Sequence, residues 1–198
     1  MNKTIPLHNS RYPITIVSGK GCTLEDDTGK TYIDFVSGIA TCALGHANPE
    51  LTKAITEQMG ELHHISNLYY NTQQAKLAAW LSANSVADKV FFCNSGAEAN
   101  EGAIKLARRH TSNRGITDPI IITAEQSFHG RTLAAISATA QPKYHKGFSY
   151  GGEMVQGFKY VPYNNKEALK ELVKEMNETP EEDAANGRYA IVIFRLQF

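Results

Sequence analysis

The chain has 198 residues, 42% of them hydrophobic and 20% charged, which is typical of a globular protein with one large domain or slightly more. Twenty basic residues balance twenty acidic ones, so no net charge steers the chain toward nucleic acid or an anionic membrane. No apolar run approaches the roughly 20 residues that a membrane-spanning helix needs, and residues 1–6 lack an apolar signal sequence. These observations predict a cytoplasmic protein.

The cysteines and histidines do not have the spacing of a metal site. Cys22, Cys42 and Cys93 are far apart and form no C-x-x-C pair, which argues against a disulfide framework and a zinc site. His63 and His64 likewise have no further ligands at metal-binding spacing. We expect no metal, and we interpret Cys93 as a small buried hydrophobic residue.

The first part of the chain predicts a β-meander followed by two helices. Residues 12–36 contain two β-prone runs, 14–17 and 31–35, around the turn sequence Asp26-Asp27-Thr28-Gly29. Residues 49–61 have apolar side chains at helical spacing, with Asn48 as N-cap. Residues 72–83 predict a second helix. Its expected buried side comprises Ala75, Leu77, Ala78 and Leu81.

From residue 90 onward, predicted strands and helices alternate. The strands are residues 90–93, 120–123 and 190–194, and the helices are residues 97–109 and 166–176. The acidic segment 178–187 is predicted to be a solvated loop. Continuous apolar strands separated by helices indicate an α/β fold, with a mostly parallel sheet and flanking helices.

The first candidate site is the strand–helix junction at residues 94–100, with the sequence N-S-G-A-E-A-N. A helix N-terminus offers unpaired N–H groups, and small residues let a phosphate approach them closely. No G-x-G-x-x-G or P-loop pattern is present, which favours a monophosphate over a dinucleotide. The alternative is an ordinary helix cap, with Asn94 or Ser95 as N-cap and Glu98 complementing the helix dipole.

The second candidate site is the segment 125–132, E-Q-S-F-H-G-R-T, which follows the strand 120–123. Ligands of open α/β sheets bind at the carboxyl ends of strands. Phe128 offers a ring for stacking, His129 a titratable ring, and Arg131 a bidentate clamp for a carboxylate. In the alternative interpretation, Phe128 packs in the core and Arg131 forms a surface ion pair. We interpret His46 as a residue that caps the following helix or hydrogen-bonds the backbone rather than a catalytic one.

Four segments of the chain resemble class-III pyridoxal-phosphate aminotransferases. They are residues 37–49 (S-G-I-A-T-C-A-L-G-H-A-N-P), 64–71 (H-I-S-N-L-Y-Y-N), 92–109 (F-C-N-S-G-A-E-A-N-E-G-A-I-K-L-A-R-R) and 127–139 (S-F-H-G-R-T-L-A-A-I-S-A-T). Within the family, the similarity is greatest to the branch that uses acetylornithine as amino donor and 2-oxoglutarate as acceptor. The ornithine, succinylornithine and 4-aminobutyrate branches are the alternatives.

The resemblance implies fold type I, with a large domain that binds pyridoxal 5′-phosphate and a small domain built from both chain ends. Residues 1–60 would contribute to the small domain, and residues 61–198 would form part of the large one. The complete enzymes of the family are homodimers. They act on small molecules, so neither nucleic acid nor membrane is an expected partner.

The resemblance also implies roles for residues of both candidate sites. Ser95, Gly96 and Ala97 would bind the cofactor phosphate, Phe128 would stack on the pyridine ring, and Arg131 would hold the α-carboxylate of the substrate. We treat Glu98 as structural.

The chain departs from the family pattern after residue 194. Where the family has a segment like E-P-I-Q-G-E-G-G, this chain ends in Arg195-Leu196-Gln197-Phe198. We therefore expect only the N-terminal half of the enzyme, without the Schiff-base lysine and the aspartate of the pyridinium nitrogen. No lysine here matches the catalytic position, so this chain is expected to be inactive alone. The rival hypothesis is a non-catalytic chain that binds the cofactor weakly or pairs with an intact subunit.

Overall fold

A computed structural model describes residues 11–177 and 192–194. The chain divides into two compact units, Met1–Ser85 and Val86–Phe198, which are described separately. The predicted functional boundary at residue 60 stays a prediction. The predicted acidic loop 178–187 lies outside the described residues.

The first unit begins with an antiparallel meander, as predicted. Its strands are β1 (Ile16–Lys20), β2 (Thr23–Asp26) and β3 (Thr31–Ile33), in the order β1-β2-β3. Asp26 organises the turn after β2, since its carboxylate accepts hydrogen bonds from Tyr32 Oη at 2.7 Å and from the backbone N–H groups of Thr28 and Lys30. The side-chain hydrogen bonds from Tyr32 and Thr28 hold the pKa of Asp26 well below its ordinary value.

Three helical elements follow in the first unit: α1 (Ser37–Ala40), α2 (Pro49–Glu61) and α3 (Thr72–Ala83). Element α1 is a single left-handed turn, since all four of its residues have positive φ. The N-cap predicted for α2 forms, because the Asn48 side chain accepts a hydrogen bond from the Leu51 N–H. Asn71, which was not predicted as a cap, accepts from two N–H groups of α3. The predicted buried side of α3 is wrong, because no residue of this helix is buried and Ala78 and Leu81 are only half-buried. Ala75 and Leu77 are exposed, because no described residue covers that part of the helix.

The second unit contains a parallel sheet with helices. Its elements are α4 (Gly96–Ser112), β4 (Ile121–Ala124), α5 (Leu133–Ala138), α6 (Pro142–His145), β5 (Phe158–Val161), α7 (Lys166–Asn177) and β6 (Val192–Phe194). The strand order is β5-β4-β6, and β4 pairs in parallel with both neighbours. This confirms the predicted parallel α/β arrangement. The sequence did not predict β5, α5 or α6.

The core of the second unit is built around β4 and α5. Ile121, Ile122 and Thr123 of β4 are at most 1% exposed, and four of the six residues of α5 are buried. Thr123 Oγ1 donates a hydrogen bond to the Ala138 carbonyl at 2.7 Å, so the buried hydroxyl is satisfied where α5 ends. The central strand β4 and helix α5 therefore pack directly against each other.

The strand predicted at residues 90–93 does not form. Both edges of β4 are occupied by β5 and β6, and the segment pairs with neither of these two strands. A strand needs a ladder partner, and local β-propensity does not supply one. As a result Phe91 is 77% exposed, and Cys93 is exposed rather than buried as predicted.

Truncation of the central strand should unfold the second unit more easily. Ile122→Ala removes buried methyl groups from a side chain of 0% exposure, and we expect it to lower the unfolding free energy by about 2–5 kcal/mol. Leu106→Ala on α4 is the control, because Leu106 is 71% exposed and its loss should change stability by less than about 0.5 kcal/mol. Urea unfolding followed by circular dichroism measures both, and equal effects would contradict this description of the core.

Candidate functional site

Helix α4 begins at the first candidate site. Its N-cap is Ser95, whose backbone is extended and whose Oγ accepts a hydrogen bond from the Glu98 N–H at 3.2 Å. Glu98 Oε2 accepts from the backbone N–H of Asn94 at 2.7 Å and from its side-chain amide at 2.9 Å. These reciprocal bonds resemble a capping box, so Glu98 is structural, as predicted.

Three hydrogen-bond donors remain available at this helix start. In the described part of the chain, the backbone N–H groups of Gly96 and Ala97 have no partner, and the Ser95 hydroxyl accepts but still holds its own proton. A Cβ added at Gly96 would meet nothing within 4 Å, so the space in front of it is open. We call Ser95, Gly96 and Ala97 the anion cup. Its donors and the helix dipole suit a phosphate group.

The second candidate site is the β4–α5 loop, residues 125–132, at the carboxyl end of β4. Phe128 is half-buried, and its ring meets that of Tyr144 edge to face, with centroids 6.0 Å apart. Arg131 is exposed and forms no ion pair with any described residue. Of the alternative interpretation, the surface ion pair of Arg131 is therefore absent among the described residues, whereas Phe128 does pack, half-buried, against Tyr144.

The anion cup and the β4–α5 loop are in direct contact. Gly130 has φ of +135°, and a Cβ at this position would lie 2.9 Å from Ala97 Cβ and 3.2 Å from Ala97 Cα. The Asn100 side-chain amide donates to the His129 carbonyl at 2.6 Å. The structure thus brings together the two segments that carry Ser95, Gly96, Ala97, Phe128 and Arg131. Their individual roles stay predictions.

Two buried polar atoms beside Phe128 have no hydrogen-bond partner in the described part of the chain: Ser127 Oγ and His129 Nε2. His129 is 2% exposed, and burial lowers the pKa of its imidazole, which favours the neutral ring. Buried polar atoms are normally paired, so this loop suits a site that a further polar group completes. A cofactor with a phosphate and an aromatic ring therefore fits the anion cup and the loop.

Several residues that connect the two segments were missed by sequence reasoning. Asn100 and Glu101 follow the anion cup on α4, and both bond to the β4–α5 loop or to α5. Their polar side chains close to the cup could have indicated a role in the site, but polar residues in a helix ordinarily face solvent. Only the tertiary structure identifies their partners.

Other features lie apart from this pair of segments. A cavity of about 710 Å³ lies at the carboxyl end of α4 and before β4, and none of the predicted site residues lines it. In the first unit, His46 Nε2 hydrogen bonds Asp34 Oδ2 at 2.7 Å, which lowers the pKa of Asp34. The His46 side chain thus bonds a carboxylate, whereas the prediction was a helix cap or a hydrogen bond to the backbone. No group of three or more metal-ligating side chains occurs among the described residues.

Comparison with known proteins gives a consistent set of relatives. A family model described as Aminotransferase class-III matches residues 5–190. Acetylornithine aminotransferase from Thermosynechococcus vestitus is 58% identical over 176 residues, which cover 88% of this chain and 42% of the relative. The enzyme of the same name from Gloeobacter violaceus is 58% identical over 165 residues, covering 83% of this chain and 40% of the relative.

Solved structures agree with the family model. N-acetylornithine aminotransferase from Stenotrophomonas maltophilia is 34% identical with a TM-score of 0.67, over 83% of this chain and 39% of that one. Ornithine aminotransferase from Toxoplasma gondii is 28% identical with a TM-score of 0.79, over 86% of this chain and 40% of that one. The chain spans about two-fifths of the length of the curated relatives it matches. No described helix has the length and apolar character needed to cross a membrane.

A side chain at Gly130 should separate the cup from the loop. Gly130→Ala combines backbone strain at φ +135° with a clash against Ala97, and we expect it to cost about 2–4 kcal/mol of unfolding free energy. Gly147→Ala is the control, since Gly147 has φ of +87° but open space around it, and strain alone should cost about 1 kcal/mol. Urea unfolding compares the two, and equal costs would mean that Ala97 does not restrict this position.

The buried imidazole should make stability depend on pH. Burial lowers the pKa of His129, so this residue binds a proton more readily in the unfolded chain than in the folded one. The free energy of unfolding therefore falls as the pH drops below the ordinary histidine pKa of about 6.5. We expect the thermal midpoint to fall between about pH 7.5 and about pH 5.5, and to fall less in His129→Leu. The exposed His63 serves as control, and His63→Leu should retain the wild-type pH dependence.

Proposed function

Because the chain belongs to the class-III aminotransferase family, whose members use pyridoxal 5′-phosphate, we propose that it is the N-terminal part of an acetylornithine aminotransferase. The complete enzyme would transfer the δ-amino group of N2-acetylornithine to 2-oxoglutarate, a step of arginine biosynthesis. The contact between the anion cup and the β4–α5 loop is the observation that supports this most directly. The 58% identity to enzymes of that name supports the choice of substrate.

In this proposal the described residues bind and orient, and they carry out no proton transfer. The Gly96 and Ala97 N–H groups and the Ser95 hydroxyl receive the phosphate. Phe128 stacks on the cofactor ring, and the Arg131 guanidinium pairs with the α-carboxylate of the substrate. When bound, pyridoxal phosphate supplies an electron sink for the carbon that carries the amino group.

The lysine that holds the cofactor covalently and carries the proton belongs, by family resemblance, to the part of the relatives' length that this chain does not span. Lys105, Lys143 and Lys146 do not match its position. We therefore expect the 198-residue chain alone to show no amino transfer above the rate of free cofactor. Transfer of an amino group by the purified chain above that rate would overturn this part of the proposal.

The second candidate is a non-catalytic function in which the chain pairs with an intact subunit. The complete enzyme is proposed to be a cytoplasmic homodimer, and Phe35, Leu68 and Tyr70 of the first unit are exposed in the way that an interface requires. Co-purification of a tagged chain with the intact enzyme would support pairing, and no association would contradict it. Ornithine, succinylornithine and 4-aminobutyrate aminotransferases remain the alternative parent enzymes.

Binding of a cofactor analogue tests the cup directly. The chain should bind 4′-deoxypyridoxine 5′-phosphate, which cannot react with lysines. Gly96→Asp should weaken this binding at least about tenfold, because a carboxylate beside the free N–H groups repels the phosphate. Gly60→Asp is the control for charge, since Gly60 is also an exposed helical position with open space around it. Fluorescence titration measures all three chains, and equal affinities would place the phosphate elsewhere.

A further inference from the structure

We propose that Asn100 and Glu101 are positioning residues, which hold the β4–α5 loop against α4 so that Phe128 and Arg131 reach a ligand whose phosphate lies in the anion cup. The two residues are adjacent on the second turn of α4, three and four residues after Ala97 of the cup. This inference rests on the proposed function and deepens it. It concerns how the chain aligns the ring and carboxylate contacts with the phosphate contact.

Asn100 fixes the loop at His129. Its side-chain amide donates to the His129 carbonyl at 2.6 Å, while the His129 N–H donates to Thr139 Oγ1 at 2.9 Å. Both backbone polar groups of a residue that is 2% exposed are therefore bonded, one to α4 and one to the end of α5. Because Phe128 directly precedes His129, these two hydrogen bonds limit where the Phe128 ring can move.

Glu101 fixes the other end of the loop. Its Oε1 accepts a hydrogen bond from the Thr132 hydroxyl and another from the Ala135 N–H at 3.1 Å. Thr132 is the N-cap residue of α5, yet its own side chain makes no capping bond to that helix. Glu101 thus caps α5 from the neighbouring helix, and its negative charge suits the positive end of the α5 dipole.

The two anchors bracket the segment Gly130-Arg131. Gly130 lies against Ala97 of the cup, so the backbone here is held at three successive points along α4. The Arg131 side chain projects from this held backbone, is exposed, and has no ion-pair partner among the described residues. Because the backbone of Arg131 is fixed and its guanidinium is free, the residue is pre-organised to bind a carboxylate.

Three probes of increasing size separate positioning from simple stabilisation. The first is inorganic phosphate, the second is 4′-deoxypyridoxine 5′-phosphate, and the third is the stable phosphopyridoxyl amine of acetylornithine. Inorganic phosphate engages the cup alone, and the deoxypyridoxine phosphate engages the cup and Phe128. The phosphopyridoxyl amine engages the cup, Phe128 and Arg131. Dissociation constants for the 198-residue chain are measured by ³¹P NMR for the first probe and by fluorescence for the others.

The variants are matched in charge. Glu101→Gln keeps the Oε1 acceptor, whereas Glu101→Ala removes it, and both lose the same charge. We expect Glu101→Ala to bind inorganic phosphate within about twofold of Glu101→Gln, but to bind the two larger probes about tenfold more weakly. Compared with wild type, Asn100→Ala should likewise bind inorganic phosphate within about twofold and the two larger probes about tenfold more weakly. Its control is Asn113→Ala, an exposed C-cap position of α4.

Each outcome has a distinct meaning. Selective loss of the larger probes, with rescue by glutamine, supports the positioning role. Equal weakening of all three probes, or no weakening, overturns it, because the residues would then act only on stability or not at all. Failure of the wild-type chain to bind any probe overturns the proposed function itself.

Discussion

The second unit depends on the parallel pairing of β4 with strands on both of its edges. Because β5 and β6 occupy those edges, β4 is buried, and its residues Ile121 and Ile122 form the centre of the core. The same pairing fixes where the chain leaves the sheet, and so where the β4–α5 loop begins. It also leaves residues 90–93 without access to the central strand. These two ladders therefore determine both which residues are packed and which segment is left unpaired.

The candidate site depends on how closely α4 approaches the loop that follows β4. Small residues on both sides, Ala97 and Gly130, permit that approach, and the polar residues Asn100 and Glu101 then bond across it. Neither segment alone resembles a complete site, since one offers donors for an anion and the other offers a ring and a guanidinium. Their contact is what makes a ligand with both a phosphate and a ring a chemically sensible occupant.

Sequence reasoning succeeds here where the signals are local. The start of α2 follows from Asn48, because an N-cap and the turn it satisfies lie within a few residues of each other. The same holds for Ser95 as the cap of α4. Helix α5 was missed because it is a short run of small and apolar residues with hardly any polar face, and its burial between other elements leaves no amphipathic pattern.

The remaining differences between the predictions and the structure have a common physical cause. Each depends on residues that are distant in the sequence. Residues 90–93 have the propensity of a strand but lack a ladder partner, and the exposed Cys93 follows from that. The bonds from Asn100 to His129 and from Glu101 to Ala135 join residues 29 and 34 positions apart, so no local pattern could predict them. The family resemblance predicts binding residues but not the residues that connect them.

The unpaired segment 90–93 has a consequence for the behaviour of the chain in solution. An extended apolar run with free backbone groups is a template for the same run in another molecule, and such pairing leads to aggregation. Phe91, 77% exposed, adds an apolar surface to that template. Asp88 and Lys89 stand directly before it, and charged residues flanking an apolar run disfavour such pairing. We therefore expect the segment 90–93, more than the packed core, to set the tendency of the chain to self-associate.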